Sequence, residues 1–105
     1  MNDPIITRFL EGAKPIRGKI KGIYFFGSRA KGTARPDSDY DLLLVVSKDF
    51  SLNYKDKIYD IVMDVLLDTG RLISLKIFEA GVFQNLCRRK TPFTTHVLEE
   101  GIALG

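Results

Sequence analysis

The chain has 105 residues, 45% of them hydrophobic and 28% charged, enough for one compact domain and too few for two. That balance excludes intrinsic disorder, and the longest apolar run, Leu42 to Val46, falls far short of the ~20 residues a membrane-spanning helix needs. The formal net charge of +3 permits anionic partners without demanding nucleic acid, and a single cysteine, Cys87, allows neither a disulfide framework nor a cysteine zinc site.

Asp3, Arg8 and Glu11 interrupt any signal-peptide core, so the expected compartment is a reducing cytoplasm. Asp3-Pro4 reads as a helix cap followed by a first-turn proline. Ile5, Ile6, Phe9, Leu10 and Ala13 then form one apolar face, and Pro15 and Gly18 end the element. Ile20 to Phe26 reads as a strand. Arg29 to Lys31 suggests a helical turn, and Gly32 to Ser38 is rich in turn formers. Asp39 to Val46 is the strongest strand, with an apolar run that predicts burial on both faces.

Ser51 to Thr69 predicts the longest helix. Its buried stripe is Tyr54, Ile58, Ile61, Val62, Val65 and Leu66, and Asp56, Asp60, Asp64 and Asp68 solvate the other side. Gly70 is a stop signal. A strand over Leu72 to Phe78 follows, then helices over Val82 to Arg89 and Pro92 to Glu100. The basic run Arg88-Arg89-Lys90 fits a solvated helix end. The loop between the first two strands is too short for a crossover helix. The expected class is therefore α+β, a short mixed β-sheet backed by helices.

The chemistry concentrates in Gly27-Ser28-Arg29-Ala30-Lys31-Gly32 and in Asp37-Ser38-Asp39-Tyr40-Asp41-Leu42. Residues two apart on a strand share a face, so Asp39 and Asp41 project together. Carboxylates about 5 Å apart repel by about 3 kcal/mol at an effective dielectric near 20. Such a pair needs a raised pKa or a cation, and hard oxygen ligands suit Mg²⁺ with substrate phosphates. Turn chemistry accounts for Asp37 and Asp39. It does not account for Asp41, an acid leading into an apolar strand. Gly27 and Ser28 follow a strand, where glycine permits close backbone approach and helix-start N–H groups favour phosphate. Arg29 and Lys31 add positive charge, with Arg35 nearby. The combination describes a site for a Mg²⁺-nucleoside triphosphate.

Gly-Ser, ten residues, then Asp-x-Asp resembles the signature of the polymerase β-like nucleotidyltransferase superfamily. The wording here is similar to its smallest branch, the minimal nucleotidyltransferase domains. The resemblance implies one such domain over residues 1–105 with the polymerase β-like nucleotidyltransferase fold. Gly27 and Ser28, with Arg29 and Lys31 beside them, would bind the triphosphate of ATP, and Asp39 and Asp41 would be catalytic and hold two Mg²⁺ ions. AMP would pass from ATP to an acceptor hydroxyl, releasing pyrophosphate. The implied partner is a helical HEPN-type protein, as in toxin–antitoxin modules, or a second copy in a homo-oligomer. No membrane and no nucleic acid are expected.

The family usually places a third carboxylate on a later strand. Here that strand offers Leu72, Ser74, Lys76 and Phe78 on one face and no acid. Glu79 reaching back, a partner completing the site, or a domain that binds nucleotide without turning it over would each follow. The last is the alternative function, a non-catalytic nucleotide- and partner-binding subunit. His96 and Cys87 read as structural, and the phenylalanines and Tyr40 as core.

Overall fold

Asp3 fixes the start of the first helix, α1 (Pro4–Ala13): its Oδ1 accepts hydrogen bonds from the N–H groups of Ile5 (2.8 Å) and Ile6 (3.3 Å). This side-chain cap and the first-turn proline are the signals the sequence carried. The computed structural model describes residues 3–105. Beyond α1 the chain continues into a 3-10 helix, Lys14–Lys19, which the sequence reading placed as the end of the element. Ile16 is buried and holds this turn against the core.

The remaining elements follow the predicted order. They are β1 (Ile20–Phe26), α2 (Gly27–Lys31), β2 (Tyr40–Val46), α3 (Leu52–Thr69), β3 (Ile73–Glu79), α4 (Ala80–Arg88), α5 (Pro92–Glu100) and β4 (Ile102–Ala103). Ser51 caps α3 through the Tyr54 N–H, and Gly70, at φ 72°, ends it in the left-handed conformation. A helix commonly ends this way at glycine, which carries no Cβ penalty there.

The sheet has the order β3-β2-β1-β4. β1 pairs antiparallel with β2 and with β4, whereas β2 and β3 run parallel, joined through α3. This is the mixed sheet expected from one short and one helical connection. Leu42, Leu44 and Val46 face a core built from α1, α3 and β1, including Ile6, Phe9, Ile23, Ile58 and Val65. Leu43 and Val45 face the other way, into a smaller cluster with Phe83 and Val97 of α4 and α5. The five-residue apolar run is thus buried on both sides.

Several element bounds differ from the sequence reading by one or two residues. β2 starts at Tyr40, leaving Asp39 as an exposed residue of the preceding loop. β3 begins and ends one residue later than predicted, and α4 begins at Ala80, directly at the strand end. β4 was not predicted, because two residues carry no periodicity. It seals the edge of β1, where the Leu104 N–H donates to the Ile23 carbonyl at 2.8 Å.

Candidate functional site

The β1–β2 register sets Phe26 opposite Asp41, and α2 starts at the next residue, Gly27. Gly27 has φ 79°, and its Cα lies against the Asp41 carboxylate: a Cβ built there would stand 3.0 Å from Asp41 Cγ and overlap Oδ2. Glycine is required on both counts, backbone conformation and close approach. Gly27 and Ser28 open α2 here, where the first N–H groups of a helix lack intrahelical partners. The predicted glycine-serine turn and the predicted carboxylate therefore meet in space.

Asp41 is half-buried and Asp39 exposed. Burial pushes the Asp41 carboxyl above the usual carboxylate range. The Asp39 charge adds to that shift, and Lys76 opposes it. The Asp39 contribution is the repulsion expected from a neighbouring carboxylate. Among the described residues neither aspartate side chain makes a hydrogen bond or an ion pair within the chain. Two uncommitted, mutually repelling carboxylates beside a glycine cradle suit a divalent cation.

Arg29 and Lys31 are placed differently from one another. The Arg29 guanidinium donates to the Ser38 carbonyl (2.7 Å) and the Pro36 carbonyl (2.9 Å), and it sits 4.3 Å from the centroid of the Tyr40 ring. It thereby ties down the loop that delivers Asp39. Tyr40 is buried, and its hydroxyl donates to Asp3 Oδ2 at 3.0 Å. Its pKa is raised, by burial first and then by Asp3. Arg71, absent from the sequence reading, also donates to the Pro36 carbonyl. Its position one residue after the Gly70 turn was the available signal, because the β2–β3 pairing starts beside it. Lys31 pairs with Glu100 of α5 at 2.7 Å, and His96 contacts the same carboxylate at 2.8 Å.

The β2–β3 register places Ser74 beside Asp41 and Lys76 beside Leu43. Ser74 and Lys76 therefore occupy the neighbouring strand on the Asp41 face. Glu79 pairs with Val46, five residues further along β3. At strand rise that is about 16 Å from Ser74, and an odd offset puts it on the opposite face. The expectation that Glu79 reaches back is overturned by this register. Among the described residues no group of three or more His, Cys, Asp or Glu side chains is placed to hold a metal ion. Two carboxylates, Asp39 and Asp41, stand here, and no third acid joins them among the described residues.

The other sequence candidates fall outside the site. Asp56, Asp60, Asp64 and Asp68 are exposed along α3, and Asp68 pairs with Arg8. Cys87 packs against the Leu43–Phe83 cluster. No described helix is long and apolar enough to cross a membrane.

Comparison with known proteins speaks to the family and the fold. The family model "Polymerase beta, Nucleotidyltransferase" matches residues 6–104. A Methanocaldococcus jannaschii protein named as a candidate protein adenylyltransferase is 35% identical over 100 residues, covering 94% of this chain and 93% of the relative. Among solved structures, a toxin–antitoxin chain crystallised with AMP-PNP superposes with a TM-score of 0.61 at 16% identity, over 94% of this chain and 71% of that one. A candidate nucleotidyltransferase from Sulfolobus solfataricus gives 0.59 at 17% identity, over 94% and 75%. At those identities the structural matches speak to the fold.

Proposed function

The chain belongs to the polymerase β nucleotidyltransferase family, and we propose that it is a Mg²⁺-dependent adenylyltransferase that moves AMP from ATP to a hydroxyl on a protein partner. The observation that carries this reading is the contact of Gly27 with Asp41, which joins a phosphate-compatible turn to a pair of uncommitted carboxylates. The name of the M. jannaschii relative supports a protein acceptor. The toxin–antitoxin neighbours support a toxin protein as that partner, and a helical HEPN-type protein is the kind the sequence resemblance implies. Residues 1–105 would act as one nucleotidyltransferase domain.

In this reading Gly27 and Ser28 orient the triphosphate through backbone N–H groups and the serine hydroxyl. Asp39 and Asp41 hold the divalent ion, which supplies charge neutralisation at the triphosphate. Arg29 keeps the 33–39 loop, and with it Asp39, in place. The acceptor oxygen bonds to the α-phosphorus while the bond to the bridging β-oxygen breaks, and pyrophosphate leaves. With no third carboxylate among the described residues to receive it, the hydroxyl proton passes to solvent water. That gap favours a second reading, in which the chain binds nucleotide and partner without transfer.

ATP labelled on the α-phosphate, Mg²⁺ and a co-purified helical partner decide between the two. Label on the partner, lost in Asp41→Asn and absent with γ-labelled ATP, is the expected result. A stable complex that takes up no label would leave the binding-subunit reading.

A further inference from the structure

We propose that the Lys76 ammonium takes the place of a second divalent ion, so that this site holds one metal per nucleotide and not two. The inference rests on the nucleotide-binding reading above and concerns only how charge is supplied there. It starts from the β2–β3 register. Ser74 stands beside Asp41, and Lys76 is the next residue along on the same face. Diagonal positions on neighbouring strands lie about 7–8 Å apart, within reach of a long side chain.

Lys76 is exposed, and among the described residues it makes no ion pair with any acid. Its stem lies along an apolar groove of ~350 Å³ with Phe78, Leu86 and Phe93. This is the usual disposition of a lysine that covers apolar surface and carries its charge to a polar edge. The β2–β3 register sets Lys76 on the Asp41 face of the sheet, one diagonal position from Asp41.

The donor set agrees. A Mg²⁺ ion is satisfied by one or two carboxylates plus phosphate oxygens and water. A second ion would call for a further anionic oxygen ligand, and among the described residues no third acidic side chain joins Asp39 and Asp41. It would also sit against a fixed positive charge of like sign. An ammonium is a compact cation with three donors and can neutralise carboxylate or phosphate oxygens without any ligand of its own.

The test counts ions rather than turnover. The protein is saturated with Mn²⁺ and an ATP analogue whose α–β bridge is a methylene group. Retained Mn²⁺ and retained nucleotide are then measured by electron paramagnetic resonance and absorbance. One Mn²⁺ per nucleotide is expected for the unmodified chain, for Lys76→Arg and for Ser74→Asp. The double variant Ser74→Asp with Lys76→Gln supplies a third acid and removes the cation, and there two are expected. Two ions in the unmodified chain or in Ser74→Asp alone would overturn the proposal, as would one ion in the double variant. In those cases nucleotide is still retained and the parent reading stands. If no nucleotide is retained at all, the parent reading fails and this one with it.

Discussion

The α-carbon of Gly27 rests on the carboxylate of Asp41, so the end of β1 and the start of β2 are shaped around one another. A methyl group at position 27 would collide with Asp41 Oδ2, and the left-handed φ of 79° penalises any L side chain independently. Gly27→Ala is expected to destabilise the chain by about 1–3 kcal/mol. Urea unfolding measures this. The same variant should lose the stabilisation given by Mg²⁺-ATP, because relief of the clash displaces a metal ligand.

Asp41 yields a prediction of opposite sign. Its carboxyl titrates above the ordinary value because it is partly buried and faces Asp39. The folded state therefore binds a proton more readily than the unfolded state. Ionised Asp41 costs stability at pH values above its folded pKa, and the cost fades as pH falls below the unfolded value. Asp41→Asn should accordingly raise the melting temperature of the nucleotide-free protein at neutral pH. The gain should shrink when both proteins are compared at about pH 3. An unchanged or lower melting temperature at neutral pH would show that the aspartate is not strained there.

Arg29 acts on the loop. Its guanidinium holds two carbonyls, of Pro36 and Ser38, and covers the Tyr40 ring. Hydrogen bonds from a charged donor contribute about 1.5–3 kcal/mol, so Arg29→Ala should cost an amount in that range. Arg29→Lys should recover little, since an ammonium lacks the planar fork that spans both carbonyls. Limited proteolysis within residues 32–39 reads the loosening directly, and Mn²⁺ affinity should fall with it through Asp39.

Lys31 separates phosphate binding from architecture. It is paired with Glu100, which is itself pulled below its usual range, mainly by that hydrogen bond. Pairs this exposed contribute little to folding. Lys31→Ala should leave urea unfolding nearly unchanged. If Lys31 also serves the triphosphate, ATP affinity drops in Lys31→Ala and rises in Glu100→Gln, which frees the ammonium. Equal affinity in all three proteins would restrict Lys31 to its link with α5.

The site was legible in sequence where local chemistry and strand periodicity coincide. Gly27-Ser28 follows a β-branched and aromatic strand and Asp41 leads an apolar one, so those two strand ends were legible, whereas the strand face expected to carry Asp39 beside Asp41 was not, because β2 starts at Tyr40 and leaves Asp39 in the loop. The N-cap at Asp3 and the stop at Gly70 were legible for the same reason, since each acts within a few residues. Long-range partnerships were not. Nothing local indicates that Asp3 receives the Tyr40 hydroxyl, or that Arg29 closes on the Pro36 and Ser38 carbonyls. The fate of the third carboxylate depended on register. The β2–β3 register, with Val46 opposite Glu79, removes Glu79 from the site and sets Ser74 beside Asp41 and Lys76 beside Leu43 on the same face.

The most direct test of a metal-dependent nucleotide site is thermal unfolding in three states: with Mg²⁺-ATP, with ATP and chelator, and with Mg²⁺-ATP on an Asp39→Asn/Asp41→Asn variant. Ligand at 100 times its dissociation constant stabilises a fold by about 2.7 kcal/mol. For a chain of this size that is a rise on the order of 10 °C. Measured against each protein's own nucleotide-free melting temperature, the account predicts that rise in the first state alone. A rise that survives the chelator or the double variant, or no rise in any state, would contradict it.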